Sequence, residues 1–137
     1  MGEVRVTVRL TNAADETNAR HGLIKKEDVR SVETQALVDI GAVRCVMPAK
    51  IAERLGLGIP ARRHAQYADG RSEEVGVTEP VRIDLENRPT YEDCLVLGDE
   101  MLIGQTALES TDLLVDCVNG RLVPNPAHPN SIVMPVR

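Results

Sequence analysis

Asp39 is the residue best placed to do chemistry. It closes the apolar run Ala36-Leu37-Val38 and is followed at once by Ile40-Gly41-Ala42. A carboxylate at the end of a buried strand is expensive to desolvate, and such groups are retained mostly where they react. One carboxylate cannot serve as both acid and base in amide hydrolysis. Two copies meeting across a symmetry axis can, by sharing one proton. Asp before Gly also caps ordinary turns, so the surrounding chain has to choose between the two readings.

Other chemistries find little support. Cys45, Cys94 and Cys117 are odd in number and widely spaced, with no CxxC pair, which points to neither zinc nor a disulfide framework. His21, His64 and His128 stand apart from one another and from the cysteines. No metal and no cofactor are therefore expected. No Gly-x-Ser-x-Gly motif offers a serine nucleophile. Gly56-Leu57-Gly58 reads as a helix stop, not a phosphate loop.

Composition narrows the class further. The chain has 137 residues, the size of one domain, with 42% apolar and 27% charged residues. Tyr67 and Tyr91 are the only aromatic residues, so the core must be aliphatic. A net charge of -5 and the lack of stacking platforms argue against nucleic acid as a partner. No run approaches the length of a membrane helix, and the first residues lack a signal-peptide pattern. Reduced cysteines and these features lead to the expectation of a cytoplasmic protein.

The elements that would position Asp39 are mostly strands. Val4, Val6, Val8 and Leu10 alternate with polar residues, the period of a half-buried strand. Residues 12–18 read as a polar loop. Residues 29–34 read as a second strand, 35–39 as a third or its continuation, and 44–47 as extended. Pro48 suits the start of a helix over 49–55, with Gly56 beyond its end. Residues 62–68 and 71–77 flank Asp69-Gly70, a strong hairpin signal in which both turn residues are expected at positive φ. A second hairpin is expected from 81–85, through a turn at Asn87-Arg88-Pro89, to 91–97. Residues 101–103 form a short apolar strand before Gly104, and 105–110 a short helix. Residues 113–118 and 121–123 flank Asn119-Gly120. A terminal edge strand is expected over 132–136. The runs before Gly41 and before Gly104 echo one another, as if two halves shared one plan. These signals predict one mostly β domain with a closed or partly closed core and two short helices.

In this order the motifs resemble the retropepsin-like aspartic proteases, of the small single-domain bacterial kind. Ala36-Leu37-Val38-Asp39-Ile40-Gly41-Ala42 resembles the active-site signature Ala-Leu-Val-Asp-Thr-Gly-Ala. Met47-Pro48 and residues 51–57 resemble the segment after it. Tyr67-Ala68-Asp69-Gly70, with Arg71, falls where that family's flap hairpin turns. Leu102-Ile103-Gly104-Gln105 and Leu108 resemble its second apolar-Gly motif and helix. Val115-Asp116 through Leu122-Val123-Pro124 resembles its closing hairpin. The resemblance implies a closed β-barrel of the acid protease type with a flap, and a homodimer in which each subunit contributes Asp39 as the catalytic residue. Ile40, Gly41 and Ala42 would form the active-site loop, and an extended peptide or protein would be the substrate. Two carboxyls about 3 Å apart cannot both ionise, so one would keep a proton and the other would activate water.

One residue departs from that pattern. The family has Thr or Ser where this chain has Ile40, and that hydroxyl bonds across the dimer axis. Ile keeps the β-branch but offers no hydrogen bond. This leaves a second expectation open: a peptide-binding or dimerisation module that kept the fold and lost efficient hydrolysis. An unrelated small β-barrel with a structural role is the third, and it would have no cleft beside Asp39.

Overall fold

A computed structural model describes residues 2–136. The chain runs β1 (Val4–Asn12), α1 (Ala13–Arg20), a 3-10 turn (Lys26–Asp28), β2 (Ser31–Val38), β3 (Val46–Met47) and α2 (Ala49–Arg54). It continues through β4 (Ala61–Gln66), β5 (Ser72–Val77), β6 (Val81–Leu85), β7 (Arg88–Glu92), β8 (Leu95–Val96), β9 (Met101–Ile103), α3 (Gln105–Thr111), β10 (Leu113–Asp116) and β11 (Arg121–Pro124).

Nine strands form one sheet in the order β4-β5-β8-β3-β9-β2-β1-β6-β7, and β10 and β11 form a separate ribbon. The large sheet is open, with β4 and β7 as its free edges, so the expected closed barrel is not formed by this strand ladder. The alternation in β1 is matched by burial: Val4, Val8 and Leu10 face the core while Arg5, Thr7 and Arg9 do not. The core is aliphatic, with Leu10, Met47, Leu55, Ile83, Leu85, Met101 and Ile103 almost wholly enclosed.

Several boundaries differ from the sequence expectation. Residues 13–20 are helical, not loop. Asn12 caps this helix by accepting the Asp15 N–H at 3.0 Å, and Asp15 and Glu16 lie in its first turn, where the helix dipole favours them. Residues 31–38 form one strand, not two. The second hairpin turns at Glu86 and Asn87, both at positive φ, and Pro89 lies inside edge strand β7. The return strand stops at Glu92, and β8 is a separate strand pairing with β3 and β5. At the 69–70 turn only Gly70 has positive φ. Residues 132–136 form no strand.

The echo between the two apolar-Gly runs is realised in space. β2 and β9 pair in parallel, with Val38 opposite Ile103, so Asp39 and Gly104 emerge from the sheet side by side. β9 also pairs antiparallel with β3, and therefore lies between the two strands that the 39–45 loop connects.

Candidate active site

The loop after β2 is fixed from below. The Asp39 N–H donates to the Ile103 carbonyl at 2.9 Å, which carries the β2–β9 pairing one residue past the strand. The Ala42 N–H donates to the Asp39 carbonyl at 3.1 Å, closing the turn. The Gly41 N–H donates to Asp39 Oδ1 at 2.9 Å and so holds the carboxylate. A Cβ on Gly41 would lie 3.2 Å from that same oxygen. Glycine is favoured here by closeness to the carboxylate rather than by a left-handed backbone. The Asp39 residue is half-buried, less enclosed than the sequence suggested.

The second apolar-Gly motif supports this loop from the other half. Helix α3 has no side-chain cap at its N-terminus. Its first free N–H groups instead reach the loop: Gln105 donates to the Ala42 carbonyl at 2.8 Å and Thr106 to the Val43 carbonyl at 3.0 Å. Gln105 Nε2 donates to the Ile40 carbonyl at 2.9 Å. Gly104 sits beneath, where a Cβ would lie 2.5 Å from the Arg44 carbonyl oxygen and 2.9 Å from that of Ala42. Leu102 is half-buried, while Ile103 and Gly104 are buried. Sequence reasoning singled out these three and placed Gln105 in the same motif, but gave Gln105 no role in tying the halves together. A polar side chain directly after the glycine was the available signal.

Ile40 points its side chain into solvent, 60% exposed, and Val43 is 67% exposed. A groove of about 660 Å³ opens beside Ile40 between α3, β10 and residues 133–135. Asp112 organises its far wall. It ends α3 in the left-handed conformation, with φ 54°. Its carboxylate accepts from the Val133 N–H at 3.0 Å and from Asn125 Nδ2 at 3.1 Å, and pairs with His128 Nδ1 at 2.7 Å. These donors, with the Val133 amide foremost, hold the Asp112 carboxyl below its usual pKa. Neither Asp112 nor His128 stood out in the sequence.

Tyr67, Ala68, Asp69, Gly70 and Arg71 form the tip joining β4 and β5, and most of that hairpin is solvent-exposed. The Tyr67 N–H donates to the Arg71 carbonyl at 2.8 Å. Arg71 lies over the Tyr67 ring at 4.8 Å and donates to Asp69 Oδ2 at 2.7 Å. The Tyr67 hydroxyl bonds Glu73. Arg71 holds the Asp69 carboxyl below its usual pKa, chiefly through its backbone N–H.

Cys45 is fully enclosed behind the loop, and burial pushes its thiol up to about 11. Burial raises Cys94 further. Both are inert hydrophobes rather than nucleophiles. Among the described residues no cluster of three His, Cys, Asp or Glu is placed to hold a metal, and no helix is long and apolar enough to cross a membrane.

Solved structures share this fold. The retroviral protease-like domain of Ddi1 from Leishmania major superposes with a TM-score of 0.55 at 15% identity, over 91% of this chain and 86% of that one. The EIAV protease in complex with the inhibitor HBY-793 matches with a TM-score of 0.51 at 19% identity, over 79% of this chain and 86% of that one. The chain has a retropepsin-like fold. No family model and no curated protein matches the sequence. The retropepsin-like fold accounts for the two apolar-Gly strands lying in register, and it sets aside an unrelated small barrel.

Proposed function

We propose that the chain, a single domain over residues 1–137, is an aspartic endopeptidase that works as a homodimer. The observation that carries this reading is the seating of Asp39. Its backbone is pinned to Ile103, its carboxylate is held by the Gly41 N–H, and the loop around it is tied to α3. Two such loops facing across a two-fold axis would bring the carboxylates together. The ionised Asp39 would take a proton from a water as its oxygen attacks the scissile carbonyl carbon. The protonated Asp39 of the second subunit would give its proton to the carbonyl oxygen. Collapse of the tetrahedral species then breaks the C–N bond, and the amine leaves with a proton from the dyad. The β4–β5 hairpin would be the flap, closing over an extended peptide and excluding water. The likeness in fold to a protease, that of EIAV, supports a peptide as substrate.

Ile40 favours a second reading. With no hydroxyl at this position, the loop cannot make the cross-axis bond that the family resemblance implies. On that reading the protein binds peptides or pairs with itself without cutting.

Incubation of the wild type, Asp39→Asn and Ile40→Thr with a mixed peptide library separates the two. The peptidase reading expects cleavage by the wild type, complete loss in Asp39→Asn, and inhibition by a statine-type peptide. Peptide binding that survives Asp39→Asn, with no cleavage at any pH, supports the binding module instead.

A further inference from the structure

The α1 helix and the 3-10 turn between β1 and β2 contribute almost nothing to the apolar core. Asp15 is the one buried residue of α1, and the 3-10 turn has none. The segment is nevertheless firmly placed. Asp15 accepts from Arg30 Nε at 2.8 Å, from its second guanidinium nitrogen at 3.0 Å and from its backbone N–H at 3.0 Å. The buried Asn12 donates to the Leu55 carbonyl at 2.8 Å and caps α1. A polar segment held this rigidly over a sheet face builds a wall.

Between that wall and the sheet lies a cavity of about 510 Å³, within the range of small-molecule sites. Arg9, Arg20, Lys26 and Arg82 line it, against the single carboxylate of Glu16. In a chain of net charge -5 this local excess of cations runs against the whole. Arg82 and Glu16 are already committed: Arg82 pairs with Glu16 at 2.8 Å and Asp84 at 3.1 Å, and the Tyr91 hydroxyl donates to Glu16 at 2.7 Å. Among the described residues Arg9, Arg20 and Lys26 form no ion pair. Arg9 donates to the Ser31 hydroxyl, and Glu33, across from it on β2, makes no ion pair with it. The rest of the wall is part apolar, from Val29, Ala19 and the half-exposed Tyr91 ring, and part hydroxyl, from Thr11 and Ser31.

The cavity is remote from Asp39. Ser31 lies opposite Thr11 at its mouth, and Val38 lies opposite Val4 at the other end of the same pair of strands. Asp39 lies eight residue steps along the chain from Ser31, about 26 Å at the usual rise.

We propose that this cavity binds a small organic phosphate. The free cations of Arg9, Arg20 and Lys26 receive the phosphate, and the planar or apolar part lies along Tyr91 and Val29. Guanidinium groups suit phosphate oxygens, and three unpaired cations match a dianion.

Phenyl phosphate is the probe, titrated into the full chain and followed by NMR. The result expected is saturable binding with shifts at Arg20, Lys26, Val29 and Tyr91. The double exchange Arg20→Glu/Lys26→Glu weakens binding about tenfold or more, the effect of removing one charge-assisted hydrogen bond to the phosphate. Arg62→Glu/Arg63→Glu, on the exposed hairpin, leaves it unchanged. Inorganic phosphate and phenol each bind more weakly than phenyl phosphate. The single exchanges Arg20→Gln and Lys26→Gln give the same direction without charge reversal. Asp39→Asn retains full binding, which separates this site from the proposed peptidase centre. Failure to saturate at millimolar concentration overturns the proposal. So does binding that the Arg20 and Lys26 exchanges leave untouched, or inorganic phosphate binding as tightly as phenyl phosphate.

Discussion

The carbonyl oxygen of Arg44 lies 2.5 Å from the point where Gly104 would carry a Cβ. Two segments 60 residues apart in the chain thus approach more closely than any side chain permits. The contact is backbone on backbone, so nothing flexible can yield. Gly104 adopts φ -97°, open to any residue, so only the approach demands glycine.

Gly104→Ala follows directly from this. The added methyl must push the 39–45 loop away from α3, at a cost of about 1–3 kcal/mol as for overpacked cores. Chemical denaturation should report the loss, and any Asp39-dependent cleavage should fall further than the stability change accounts for. Gly98→Ala is the comparison: it meets no atom within 4 Å but has φ +70°, so its cost is backbone strain of about 1 kcal/mol with no effect on the Asp39 loop. Equal effects of the two exchanges on cleavage would show that the close approach does not position the loop.

The sequence made the site's strands legible because their signals are local. β1 alternates, and β2 and β9 are apolar runs stopped by a turn. Helix α1 was hidden because it has no apolar stripe, and its evidence was a cap and a charge order instead. Pro89 drew the expected turn one or two residues too far. It fits in β7 because that strand is a sheet edge, where a missing N–H is tolerated. Residues 132–136 look like a strand, yet a side chain, Asp112, takes the Val133 N–H. Whether a sheet closes depends on how its two edges meet, and no local pattern records that.

The hairpin tip should loosen when Arg71 is removed. Arg71 both stacks on Tyr67 and pairs with Asp69, but all three lie at an exposed tip where such contacts add little to global stability. Arg71→Ala should therefore leave Tm nearly unchanged while amide exchange at Tyr67 and Gly70 quickens. If the hairpin is a flap, the Michaelis constant for peptides should rise. Unchanged exchange at both amides would mean that the tip is held by its backbone bonds alone.

Asp112 gives a pH dependence with a definite sign. Its carboxyl is held below the ordinary value, so the hold on residues 125–133 is complete above the unfolded aspartate pKa of about 3.9 and fades as pH falls through the lower folded value. Amide exchange at Val133 should be slow near neutrality and accelerate on acidification. Asp112→Asn should show the fast behaviour at every pH. Asn tolerates the left-handed backbone, so the loss reports the carboxylate and not strain. A Val133 amide equally protected in the Asn variant would remove the carboxylate from its assigned role.

Ile40→Thr tests the departure from the family pattern most directly. The Ile40 side chain is 60% exposed in the single subunit, so exchanging it should change monomer stability by no more than about 0.5 kcal/mol. Its effect should appear on association. A hydroxyl supplied once by each subunit adds two hydrogen bonds at about 0.5–1.5 kcal/mol each, which lowers a dimer Kd by about 5- to 150-fold. Gln105 already fixes the Ile40 carbonyl, so the new side chain enters a loop whose backbone is set. Sedimentation equilibrium measures the Kd, and the peptide-library assay measures whether cleavage rises with it. Tighter association together with faster cleavage identifies the missing hydroxyl as the limit on a working protease. Tighter association without cleavage favours the binding module. If association is unchanged while the wild type cleaves, a hydroxyl at this position is not needed and Ile40 is no obstacle; if association is unchanged and neither form cleaves, the peptidase reading falls.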